Sequence, residues 1–234
     1  MNATASIASG RELGVGLYPV PMAAQLVGAH QNKLRSWISG YKTSNAAPII
    51  HRDLPNINGK LVLSFLDLVE SAFVRHFRAI GYSPQTIRKV AEKLRNRHSV
   101  KHPFAMDTRF RADGLQIFEE TIDDEGEKRL LNLMNDNFEM PSVVERSLFS
   151  QILYIEDLAR RWTPIPSIPE VVVDPTLSFG KPIVLTCGIP TKLLNSDYEL
   201  YGDIEEVAFE YEISEAEVSS AVEFEKILSS RMLH

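Results

Sequence analysis

The chain has 234 residues, 44% hydrophobic and 24% charged, with one cysteine and a formal charge of −6. That composition is typical of a soluble globular protein, excludes an intramolecular disulfide framework, and makes Cys187 a small apolar core residue. The most apolar stretch, Leu61 to Val74, is interrupted by Ser64, Asp67, Glu70 and Ser71 and cannot span a bilayer; no signal peptide is visible, so a cytoplasmic location is expected.

The net charge conceals a split. Met1 to Ala105 carries 14 Lys or Arg against 5 Asp or Glu, whereas Met106 to His234 carries 11 against 26. A basic half can neutralise phosphates, while an acidic half repels them and is left for a different ligand. Residues 1–17 are small and polar and are expected to form a flexible arm. Pro21 suits the first turn of a helix ending near Val27, and Gly28 supplies a tight turn. A second helix follows from about His30 to Ile38, with Leu34, Trp37 and Ile38 turned inward. Its outer face then holds Gln31, Asn32, Lys33, Arg35 and Ser36, which are suited to base edges and phosphates. Pro48–His51 and Lys60–Leu63, separated by a loop containing Asn58-Gly59, predict a β-hairpin decorated by Lys42, Arg52 and Lys60. A helix pair followed by a basic hairpin reads as a winged helix-turn-helix over 18–105, with these side chains as its DNA contacts. Two amphipathic helices come next, Phe65 to Ile80 and about Pro84 to Arg97, the second starting at Ser83-Pro84. His98 and His102 lack the intervening glutamate of a zinc-protease helix, and a solvated helix end is expected there rather than a metal site.

Residues 106–162 read as a middle α+β region. Leu115 to Thr121 and Lys128 to Met134 alternate around an acidic turn, Ile122 to Gly126, that lacks EF-hand ligand spacing. Ser142 to Ile152 has the period of a short amphipathic helix. Arg160-Arg161-Trp162 offers a basic, aromatic contact for a base or a protein partner, or else the anchored end of a strand. Thr163 to Pro169 has three prolines in seven residues and predicts a semi-rigid linker at a domain boundary. Val171–Val173 and Pro182–Thr186 are β-like. Three helices follow at about Pro190–Tyr198, Asp203–Tyr211 and Ser214–Leu228, with Asp203 and Ser214 as N-caps. Leu193, Leu194, Val207, Ala208, Val218, Ala221, Val222 and Phe224 should form their common core. The unit over 170–234 has a homeodomain-like pattern, yet Asn195 to Leu228 contains 11 acids and one base. A last helix bearing Glu215, Glu217 and Glu223 is repelled by phosphate, so it is expected to hold protein instead. The expected fold class is mainly α with small β-hairpins.

The run Tyr18-x-Val20-x-x-Ala23-Ala24-x-Leu26-x-Gly28, then Leu34-Arg35-x-Trp37, resembles the start of MerR-type winged helix-turn-helix regulators. Phe65-x-Asp67-Leu68-Val69-Glu70, with Gly81-Tyr82-Ser83-x-x-x-Ile87-Arg88, is similar to the helix pair after their wing. His30 stands where that family has a small hydroxyl cap, which predicts a looser first turn. Asp174-Pro175-x-x-Ser178-Phe179-Gly180-Lys181-Pro182, Gly188-Ile189-Pro190-Thr191, Glu205-Glu206-Val207-Ala208-x-x-Tyr211 and Val218-x-x-Ala221-x-x-Phe224-Glu225 resemble the small bacterial domain of unknown function 433. The combination resembles the long VapB-type antitoxins. That resemblance implies an antitoxin of a type II toxin-antitoxin module, a homodimer with two ligands: a PIN-like ribonuclease toxin and its own double-stranded operator DNA. A PIN-like active site is itself acidic, so Arg160 or Arg161 would supply the anchor there. A stand-alone DNA-binding regulator with an acidic dimerisation domain is the alternative. No nucleophile-base pair, phosphate loop or metal-ligand cluster is recognisable, and neither an enzyme nor a cofactor is expected.

Overall fold

The structure is a computed structural model that describes residues 15–41, 45–107 and 148–231. Lys42, the hairpin expected over 115–134 and most of the helix expected over 142–152 lie outside these residues. Among the described residues the chain is α+β, with seven helices and two small antiparallel sheets.

Helix α1 (Val20–Val27) opens with a proline in its first turn and ends on Gly28, whose φ of 70° is a left-handed conformation that glycine adopts without strain. Helix α2 (Gln31–Ser39) is capped by His30, whose Nδ1 accepts the Asn32 N–H at 3.1 Å. An imidazole nitrogen thus replaces the hydroxyl, and the first turn is capped rather than loosened. Helix α3 (Phe65–Ala79) begins with a reciprocal capping box between Ser64 and Asp67, and α4 (Pro84–His98) with Ser83 accepting from the Thr86 N–H.

The hairpin expected between Pro48–His51 and Lys60–Leu63 does not form. Ile49 and Ile50 both donate their N–H groups to the Trp37 carbonyl, at 2.8 and 3.1 Å. Strand β2 (Val62–Leu63) pairs instead with β1 (Tyr18–Pro19), just before α1. Both isoleucines are fully buried; packing them on α2 removes apolar surface that a solvated wing would leave in water. The tight turn survives: Ile57 and Lys60 pair around Asn58 and Gly59, which have φ of 49° and 73°.

The second sheet is an antiparallel meander of β3 (Ile152–Ile155), β4 (Leu158–Trp162), β5 (Val171–Val173) and β6 (Pro182–Val184), in that order. Ile152 therefore opens a strand and does not close a helix; its partner is Trp162. Residues 163–169 are not an extended spacer. Pro164, Ile165 and Ile168 are buried, and Trp162 pairs with Val173 across the segment. The isoleucines between the prolines drive this, since they gain more by entering the core than the loop would by extending. Three helices complete the fold: α5 (Thr191–Tyr201), α6 (Ile204–Tyr211) and α7 (Glu215–Ser230), with Asp203 and Ser214 as side-chain N-caps. Leu194 is buried, but Leu193 is 45% exposed and outside the core, because Thr191 and Leu194 set the inward stripe of α5. Val222 is half-buried.

The meander lies between α3, which touches β4, and the α5–α7 trio, which touches β5 and β6; one apolar cluster runs through all of them. Tyr18, fully buried, closes the join against Gly180. Gly180 has φ of 77°, and a Cβ there would run into the Tyr18 hydroxyl and ring. Gly188, at φ of 72°, faces open space. Gly180→Ala should therefore destabilise by about 3 kcal/mol and Gly188→Ala by about 1 kcal/mol. Equal shifts of the two urea midpoints would show that Tyr18 does not press on Gly180.

Candidate functional site

The sequence placed eight DNA contacts on α2 and the loop after it. Gln31, Asn32, Lys33 and Arg35 are exposed on the outer face of α2, and Lys60 is exposed beside the Asn58-Gly59 turn. Ser36 is half-buried, its Oγ donating to the Lys33 carbonyl at 2.7 Å, so that hydroxyl serves its own helix. Arg52 is turned inward: Nη1 donates to the Leu54 and Val62 carbonyls at 3.1 and 3.2 Å, and Nη2 to Asn56 Oδ1 at 3.0 Å. Its guanidinium shapes the loop by tying the Leu54 carbonyl within it to the Val62 carbonyl of β2 at its end. Arg88, on α4, donates to the Ala47 carbonyl at 2.7 Å and ties down the same region.

The carboxyl end of α1 is held by two arginines that sequence reasoning missed. Arg231 Nη1 donates to the Gln25 and Leu26 carbonyls, both at 3.0 Å, and Arg75 Nε to the Gly28 carbonyl at 3.2 Å. Cations suit the negative end of a helix dipole. Arg231 follows the last residue of α7, so the acidic trio grips the turn between α1 and α2; spacing gives no sign of a contact between residues this far apart in the chain.

Beneath that loop lies a buried ionic cluster around His102. The imidazole is 2.8 Å from Asp53 Oδ1 through Nε2, and 3.3 Å from Glu70 Oε2 and 3.8 Å from Asp67 Oδ1 through Nδ1. Lys101 Nζ is 2.9 Å from Asp53 Oδ1, and Arg95 Nη2 is 3.8 Å from Glu70 Oε2. His102 is thus buried rather than a solvated helix end, because the chain turns back at Pro103–Ala105 to pack Phe104 against Phe73 and Phe77. Burial opposes its charge, but the hydrogen bonds to Asp53 and Glu70 win and raise its pKa to about 9. Burial pushes Asp67 up to about 6, whereas Asp53 lies below its usual range because bonds from His102, Lys101 and Ser64 outweigh its burial. One ligand atom each from Asp53, Asp67 and His102 lies within 4.8 Å of the others, a set that could take a divalent ion. Three carboxylates already face three cations, however, when His102 is protonated, so the cluster balances its own charge.

At the acidic end the expected partner residues divide. Trp162 is 3% exposed and belongs to the core, and its backbone pairs with Val173 of β5. Arg161 Nε donates to Asp174 Oδ2 at 3.1 Å. Arg160 is exposed and lines a cavity of about 300 Å³ with Asp53, Phe65 and Leu158. Glu217 is half-buried and closes a capping box with Ser214 while accepting from Thr186 Oγ1; these bonds hold its carboxyl below the usual range. Glu215 and Glu223 are exposed.

No protein-family model matches the chain, and no curated protein matches it. Among solved structures, the crystal structure of Rv2018 from Mycobacterium tuberculosis is similar, with a TM-score of 0.70 and 21% identity over 88% of this chain and 96% of that one. At this identity the likeness is one of fold.

The cluster makes stability depend on pH. His102 has a folded pKa raised above its ordinary 6.5, so its contribution is complete below pH 6.5 and disappears as pH rises through about 9. Asp67, raised to about 6, and Asp53, lowered, titrate mainly below this window, and burial lowers His51 and His76. Unfolding free energy should fall by roughly 2 kcal/mol from pH 6.5 to 9, and His102→Gln should flatten that slope. A wild-type stability constant across this range would disprove the ionised imidazole.

Proposed function

We propose that this protein is the antitoxin of a type II toxin-antitoxin module that also regulates its own operon. In this reading α1 and α2 are the helix-turn-helix of a MerR-like winged domain, and α2 enters the major groove with Gln31, Asn32, Lys33 and Arg35 toward bases and phosphates. Lys60 contacts the backbone from the shortened wing. The α5–α7 trio is the homeodomain-like domain of unknown function 433, which takes a PIN-like ribonuclease as its partner, and Arg160 reaches toward that toxin's acidic centre. The observation that carries the proposal is the opposition of two exposed helical surfaces in one chain: an α2 face of amides and cations, and a trio with 11 acids and one base over 195–228. Phosphate attracts the first and is repelled by the second, so the second is left for protein.

Two measurements test it. Gel retardation with the protein's own promoter should show salt-sensitive binding that weakens on the order of tenfold in Arg35→Ala and Lys33→Ala, whereas Arg161→Ala leaves it unchanged. Co-expression with the product of the adjacent reading frame should yield a complex and restore growth. Failure of both co-purification and rescue would refute the antitoxin role while leaving the DNA-binding half to stand on the retardation result.

A further inference from the structure

Helix α6 turns Ile204, Val207, Ala208 and Tyr211 toward the core. On its opposite side Glu205 and Phe209 lie one turn apart, Glu206 and Glu210 form the row beside them, and Glu212 follows as the left-handed C-cap just past the helix end. All five of these residues are exposed. Phe209 is 85% exposed, more than any other large hydrophobic among the described residues; Phe179 follows at 76%, and Leu200, near the end of α5, is 73% exposed. Tyr201 borders the same rows, where its hydroxyl bonds to Glu210. A phenylalanine is thus held in water at the centre of a carboxylate ring, on a helix whose fold makes no use of it.

The ring limits what can cover that side chain. Nucleic acid and an anionic membrane surface are repelled by it. A second copy packed face to face would set each ring against its equal, because a two-fold interface brings the same patch from both subunits together. A protein surface with an apolar socket rimmed by lysine or arginine satisfies both the aromatic anchor and the carboxylates.

We propose that the outer face of α6 docks a basic protein partner, with Phe209 seated in an apolar socket and Glu205, Glu206, Glu210 and Glu212 paired to the cations around it. The proposal rests on the antitoxin reading and deepens it: the contact moves from α7, where Glu217 is occupied by its capping box and by Thr186, to α6.

The test uses the full chain and the product of the adjacent reading frame, with affinities measured at low and raised salt. Phe209→Ser should weaken the complex by about 30-fold or more, as expected of a central aromatic anchor. The double variant Glu206→Lys, Glu210→Lys should weaken it comparably and abolish its salt dependence. Glu215→Lys, Glu223→Lys on α7 should leave it within about twofold of wild type. Each altered side chain is exposed, so melting temperature and promoter retardation should be unchanged. A Phe209→Ser complex as tight as wild type overturns the docking face and leaves the antitoxin reading intact. Absence of any complex with the wild-type chain overturns both. A Phe209→Ser chain whose mass in light scattering drops from dimer to monomer assigns the face to a second copy and also overturns the proposal.

Discussion

The rest of the molecule depends on the burial of a meander too small to stand alone. Strands β5 and β6 have three residues each, and every one of those residues is buried. Strands this short are not stable in water, and the loss of the usual in-out alternation means that both faces are covered. The cover comes from the two ends of the chain, which touch the sheet through α3 on one hand and α5 and α7 on the other. A basic half and an acidic half are thereby joined over a single apolar cluster.

The same join explains where the arginines went. An arginine count for the first 105 residues suggests a phosphate-binding surface, yet Arg52, Arg75, Arg88 and Arg95 each donate to backbone carbonyls of the fold. Arg95 meets the carbonyl of Ile49 at 2.6 Å, in a segment that has given up its hairpin. Irregular backbone that is drawn into a core must find donors for its carbonyls, and planar guanidinium groups with several N–H bonds are well suited to supply them. Among the described residues, Gln31, Asn32, Lys33 and Arg35 on α2, together with Lys60, stay exposed.

Much of the local structure was legible before the fold was known. Ser83, Asp203 and Ser214 all cap the helices they precede, and Asn58-Gly59 makes its turn, since each acts within a few residues of itself. The candidate site was half legible. Exposure of Gln31, Asn32, Lys33 and Arg35 follows from helical period once Leu34, Trp37 and Ile38 are recognised as the inward set. The inward turn of Arg52, the burial of His102 among Asp53, Asp67 and Glu70, and the packing of Pro164, Ile165 and Ile168 do not follow, because their partners are far away in sequence. The prolines of 163–169 truly signal a non-helical passage, but composition cannot distinguish a passage through solvent from one across a core.

Taken alone, the chain's order of residues determined its class, the positions of its helices and the opposition of charge between its halves, because periodicity, capping and charge are properties of short stretches. Only the tertiary structure decided that the halves share a core, that the expected wing shrinks to a turn while β2 crosses to β1, and that Arg231 grips the end of α1. Those outcomes depend on which buried surface is larger and which carbonyl would otherwise lack a donor, comparisons that exist only once distant segments meet.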